Sequence, residues 1–323
     1  MQPDPPVASA GSGPCAGPEL AARVLKSGDS KAKLPFVPTL VLGIMAGVYI
    51  GLGANLFTIV KTGNSLGFGM QQLVGGIAFC LGLILVVVGG AELFTGNSLI
   101  AMAWFSGRVS TPRLLRNWGI VYLGNFAGSL ALVWLVAAAM QHTLAQGEVG
   151  VTAVNIAVAK CQLPFGVVLA RGILCNALVC LAVWLCFSAC STTDKILAII
   201  FPITAFVAGG FEHCVANMYF IPMGIAIKGM LGAAAPAGSE ILTTSAFVVN
   251  NLIPATIGNM IGGSAVVGGM YWLAYLLPAL SQSRRAQSCA VPPAEATSRP
   301  DTDERTEKPG GDDERWRPPS TSN

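Results

Sequence analysis

Apolar and polar positions fall in long blocks along this chain rather than in short periods. Apolar runs occupy about residues 36–60, 70–91, 117–140, 164–190, 196–211 and 250–280. A hydrocarbon core of about 30 Å is crossed by roughly 20 helical residues. Each run therefore predicts one span, and the chain reads as an all-α membrane protein with six transmembrane helices. After the second and fifth runs come shorter apolar pieces, NSLIAMAWF (97–105) and NMYFIPMGIAI (217–227), each set off by Gly-Gly and a charged residue. Those two spans are expected to be broken.

The breaks repeat one another. GGAELFTGN (89–97) and GGFEHCVAN (209–217) share Gly-Gly-x-Glu-x-x-x-x-Asn. In the following span, NWGIVYLGNFAGS (117–129) and NLIPATIGNMIGGS (251–264) share Asn-x6-Gly-Asn-x2-Gly. Two matches in the same order indicate a duplication in which spans one to three correspond to four to six. Three is odd, so the second half enters the membrane upside down, and the chain is two inverted three-helix repeats. Transporters built this way place their permeation site near the midplane, where discontinuous helices present dipole ends and freed backbone groups. The plain alternative, that Gly-Gly only lets helices pack closely, leaves the Glu and His beside each break unexplained.

Composition sharpens this picture. Of 323 residues, 53% are hydrophobic and 11% charged, too little charge for a water-exposed surface over the middle of the chain. The net charge of +3 is too small to argue for nucleic acid. The nine cysteines contain no CxxC pair and sit mostly in apolar runs, so neither a disulfide framework nor a metal site is expected, and no cofactor is implied. Arg23, Lys26, Lys31, Lys33, Arg108, Arg113, Arg116, Lys195, Arg284 and Arg285 flank the spans on one side, against Lys61, Lys160 and Lys228 on the other. The positive-inside rule then puts both termini in the cytoplasm. The expected organisation is a cytoplasmic segment over 1–34, a six-span transport domain over 35–281 and a disordered cytoplasmic tail over 282–323. Residues 19–33 read either as a short basic amphipathic helix on the membrane surface or as a solvated leader.

Ionisable groups inside spans are costly and mark function. His213 is the leading candidate, as an imidazole that can donate a hydrogen bond or a proton to an anion; a structural histidine is the alternative. Glu92 and Glu212 hold equivalent repeat positions, where a carboxylate can accept from orphan amides of the facing half-helix. Asn97 and Asn217 close the two motifs. Thr95 sits in the first broken loop where His213 sits in the second, which would let its hydroxyl reach the imidazole. Lys160 and Arg171 lie at the outer mouth, as cations that concentrate anions or as snorkelling interfacial residues. An intramembrane hydrolase would need a nucleophile beside the histidine. Thr95 alone is a poor one, so the chain reads as a transporter and not an enzyme.

Three segments, GAELFTGN, LARGILCNALVCLAVW (169–184) and GGFEHCVANMYFIP, resemble the signatures of the formate/nitrite transporter family over about residues 30–280. The resemblance implies an aquaporin-like protomer, a homopentamer with one pore per protomer, and a small monovalent anion as cargo. Formate is the nearest match; nitrite, lactate and hydrosulfide are carried by related branches. Matched motif by motif, Thr95 and His213 are the central pair, Asn176 a pore asparagine and Lys160 the basic residue of the outer vestibule. Leu83, Phe94 and Val179 form one hydrophobic constriction, Phe79 and Phe206 the other. The compartment it implies is the bacterial inner membrane.

Overall fold

The computed structural model describes residues 17–63 and 65–282; the tail expected over 282–323 lies almost wholly outside them. Among the described residues every regular element is helical, and six helices are long and apolar enough to cross a membrane.

The first half comprises α1 (Gly17–Ala32), α2 (Phe36–Lys61), α3 (Phe68–Gly89), a 3-10 turn Gly96–Ile100 leading into the short α4 (Ala101–Phe105), and α5 (Thr111–Ala138). The second half mirrors it with α6 (Glu148–Cys161), α7 (Phe165–Ser188), α8 (Thr192–Ala208), α9 (Cys214–Leu231) and a long span over 246–282. That last span holds α10 (Ile253–Met260) between π-helical stretches Ala246–Leu252, Ile261–Gly269 and Trp272–Leu276. Pro35 and Pro164 stand at the N-caps of α2 and α7, where a missing N–H costs nothing.

Both breaks are made by glycine. Gly90 ends α3 at φ +72° and Gly210 follows α8 at φ +67°, in the left-handed region that a side chain disfavours. Within each half the first and last spans then pack through bare backbone. A Cβ on Gly128 would sit 2.0 Å from the Ile44 carbonyl oxygen of α2, and one on Gly262 would sit 2.2 Å from that of Ile173 in α7.

The structure departs from the sequence reading in three places. The run at 196–211 is only the first piece of the fifth span: α8 is short, and the longer apolar helix is α9, after the break. Residues 148–161, which fall in none of the predicted spans, form α6, the counterpart of α1. The amphipathic helix expected near the N-terminus forms, and its apolar stripe is covered by the protein itself. Leu20, Ala21, Val24 and Leu25 are buried, and Gly28 packs close to Ile100 and Ala103 below the first break. Its apolar stripe finds a protein partner, which a sequence pattern cannot distinguish from a lipid one.

Candidate functional site

Each broken loop is held by one buried polar network, and the two networks share four equivalent hydrogen bonds while differing in one more on each side: Lys31 Nζ also donates to Asn97 Oδ1 at 3.2 Å, and Asn251 Nδ2 to Glu212 Oε2 at 3.0 Å. In the first half Glu92 Oε1 accepts from Lys31 Nζ at 2.6 Å and Oε2 from Asn97 Nδ2 at 2.7 Å. Asn97 Nδ2 also donates to Asn117 Oδ1 at 3.0 Å, and Asn117 Nδ2 to the Lys31 carbonyl at 3.1 Å. In the second half Glu212 accepts from Lys160 Nζ at 3.0 Å and Asn217 Nδ2 at 2.7 Å. Asn217 donates to Asn251 Oδ1 at 2.7 Å, and Asn251 to the Lys160 carbonyl at 3.2 Å. A buried charge needs a partner and further hydrogen bonds to be tolerated, and both carboxylates have them.

A second pair of asparagines stitches the loops to the last span of each half. Asn125 Oδ1 accepts from the Phe94 amide at 2.9 Å, while its Nδ2 reaches the Gly43 and Glu92 carbonyls at 2.7 and 3.0 Å. Asn259 does the same for the Cys214 amide and the Gly172 and Glu212 carbonyls, at 2.8, 2.8 and 2.9 Å. The expectation that Glu92 and Glu212 take the orphan amides of the facing half-helix is therefore corrected. Asn125 and Asn259 serve the loop backbone, and the carboxylates accept from lysine and from the other asparagine side chains.

Between the networks the halves differ. His213 is the N-cap of α9, its Nδ1 accepting from the Ala216 amide at 3.0 Å, and its Nε2 lies 3.0 Å from Thr95 Oγ1. An acceptor Nδ1 makes the neutral ring the Nε2–H tautomer, so the ring donates to Thr95 and the threonine's own hydroxyl hydrogen is left for another acceptor. The two residues touch, but they are not repeat equivalents: aligned on the Glu and Asn of each motif, His213 falls opposite Leu93 and Thr95 opposite Val215.

Two cavities approach this pair from opposite ends of α3 and α8. One, of about 350 Å³, is lined by Lys31, Leu83, Glu92, Leu93, Gly96 and Lys195. The other, of about 240 Å³, is lined by Lys61, Phe79, Lys160, Arg171, Phe206 and His213. Phe79 and Phe206 meet edge to face at 5.6 Å, and Phe206 stacks on the His213 ring at 5.9 Å.

A family model described as formate/nitrite transporter matches residues 18–273. The chain belongs to the formate/nitrite transporter family. It is 42% identical over 259 residues to the formate channel FocA of Escherichia coli K12, covering 78% of this chain and 91% of that one. The FocA of Haemophilus influenzae is 40% identical over 245 residues, covering 73% and 86%. A solved structure described as a pentameric formate channel with formate bound superposes with a TM-score of 0.69 at 44% identity, covering 75% of this chain and 98% of that one. Channels and transporters, not enzymes, are what this family's members resembling the chain are named.

The remaining residues singled out by the family signatures are unevenly placed in this formate/nitrite transporter. Leu83 lines the Lys31-side cavity. Phe94 and Val179 are buried and line neither cavity, the Phe94 ring lying 4.9 Å from Tyr122 and 6.3 Å from Trp118. Asn176 is not free to contact cargo through its amide nitrogen, which bonds the Thr95 and Asn259 carbonyls at 3.2 and 2.6 Å and Ser98 Oγ at 3.2 Å. It positions Thr95. Lys160 is not a free cation, because Glu212 holds it. Lys31, Asn117, Asn125, Asn251 and Asn259 were missed as site residues. The asparagines were visible as the second repeat motif, whereas Lys31 was hidden among the flanking positive charges. Among the described residues no cluster of His, Cys, Asp and Glu could hold a metal.

Proposed function

We propose that this membrane protein conducts formate, working as a homopentamer with one pore in each protomer. The observation that carries the reading is the Thr95–His213 contact at 3.0 Å, set between two cavities that open at opposite ends of the helices. Support for the substrate comes from relatives named formate channels and from the pentameric formate-bound neighbour.

A bare carboxylate loses its hydration at an apolar constriction, a cost that hydrogen-bond donors and a neutralising proton reduce. The Thr95 hydroxyl, already accepting from His213, is polarised to donate to a formate oxygen. Doubly protonating the ring would turn Nδ1 into a donor facing the Ala216 N–H, so the cap opposes an imidazolium. His213 serves formate as a fixed donor through Thr95, and a proton that accompanies formate enters from the vestibule. Asn176 holds the Thr95 carbonyl, while Phe79 and Phe206 close one side and Leu83 the other. Both termini face the cytoplasm of a bacterium and the protein sits in its inner membrane, a placement supported by the crowding of Lys and Arg on that side.

The test is uptake of labelled formate by proteoliposomes at pH 5.5 and 7.5, with nitrite, lactate and hydrosulfide as competitors. Fast formate flux, faster at the lower pH and weakly inhibited by the others, is expected. Flux of nitrite without formate would keep the family and overturn the substrate. His213→Asn keeps a capping oxygen and a donor and should retain measurable flux, whereas His213→Phe should lose at least tenfold.

A further inference from the structure

A vestibule that gathers anions needs positive charge that is not already cancelled. Lys160, assigned that task from the sequence together with Arg171, sits 3.0 Å from the Glu212 carboxylate. The pair is close to neutral when seen from the cavity. Two other cations line the same cavity, Lys61 and Arg171. Lys61 Nζ donates only to neutral acceptors, Gln71 Oε1 at 3.3 Å and Gln72 Oε1, and lies 5.7 Å from the centre of the Phe57 ring. Arg171 gives Nη1 to the Gly210 carbonyl at 3.3 Å. Among the described residues no ion pair is formed by either.

We propose that Lys61 and Arg171 form a capture site for a small monovalent oxyanion at the mouth of this cavity, ahead of the Thr95–His213 pair. Gln72 sets Lys61 in place: its Oε1 accepts from the ammonium, and its Nε2 donates to the Ala208 carbonyl at 3.0 Å, just before the second break. The ammonium has three donors and uses two on the glutamines, leaving one for an anion. The guanidinium likewise keeps most of its fork. The two half-networks thus leave the Lys61 end of the pore with a field that their own lysines do not supply. The site deepens the formate reading and rests on it only for the identity of the anion.

Initial rates of formate uptake are to be measured against concentration at low and high ionic strength, for wild type, Lys61→Gln, Lys61→Arg and Lys228→Gln. Lys228 is a control cation on the same side that does not line this cavity, donating instead to the Leu242 carbonyl. Removing one unit charge several ångströms from an anion in a wet mouth should raise KM about threefold at low salt. The maximal rate should stay unchanged, and the difference should close at high salt. Lys61→Arg should behave as wild type and Lys228→Gln should shift KM far less. Equal KM and equal salt dependence in Lys61→Gln and wild type would overturn the site, as would an equal shift in Lys228→Gln, which would mean net charge alone. Should wild type carry nitrite and no formate, the substrate reading fails and the same comparison on nitrite KM decides the capture site.

Discussion

The two halves of the pore share a scaffold and differ in the side chains set between its two networks. Around both breaks a lysine, a glutamate and two asparagines share four equivalent hydrogen bonds, and a third asparagine holds the loop amide and two carbonyls. The parts that keep a broken helix folded in lipid are duplicated because the problem, freed backbone groups without water, is the same on both sides. The parts that would meet the anion are not duplicated. Leu93 stands where the other half has His213, and Gly47 stands where it has Asn176. Gly47 leaves α2 in near contact with the Asn125 carbonyl, where even a Cβ would come to 2.1 Å. In the second half that room goes to the Asn176 amide, which lies against Gly263. Symmetry here marks structure and its violation marks chemistry.

That division can be broken experimentally, most severely at the helix contacts. Gly128→Ala and Gly262→Ala each drive a methyl into a backbone carbonyl, and each should cost about 3 kcal/mol or more, read as loss of monodisperse protein in size-exclusion chromatography. A large effect in only one half would show that the scaffolds are not equivalent. The next effect separates the networks by enclosure. Side-chain exposures are 16% for Lys160 and 3% for Glu212, against 32% for Lys31 and 5% for Glu92. Glu212→Ala strands a more enclosed ammonium and should destabilise by about 3 kcal/mol, whereas Glu92→Ala, whose lysine reaches water more easily, should cost about 1 to 2. Thermal unfolding in detergent checks the order, and equal losses would remove the asymmetry. The smallest effect concerns the cap. His213→Leu should lose about 1 kcal/mol relative to His213→Asn, in addition to its loss of flux; equal melting temperatures would mean that the Ala216 amide is satisfied without the ring.

Much of this was legible beforehand because duplication makes a weak motif testable against its own copy. The span count, the broken second and fifth helices and the pairing of the motifs follow from length, hydropathy and repeated letters. The contact of Thr95 with His213 was also within reach, although by the wrong route. The threonine is not the histidine's repeat mate, and the two meet because one loop runs into a 3-10 turn and the other straight into α9. Lys31 was illegible as a site residue. In the sequence it is one flanking cation among several, and only the docking of α1 below the first break gives it a carboxylate.

By itself the sequence determined that this protein lives in lipid, crosses it six times and carries the same break twice in opposite senses. Those properties depend on how many apolar residues stand in a row and on which letters recur. Only the tertiary structure decided which charges remain available. Lys160 and Lys31 were lost to glutamates far along the chain, while Lys61 and Arg171 kept neutral partners. The reason is physical: a charge's effect depends on what lies within a few ångströms of it, and helices packed across a membrane bring together residues that no local spacing relates.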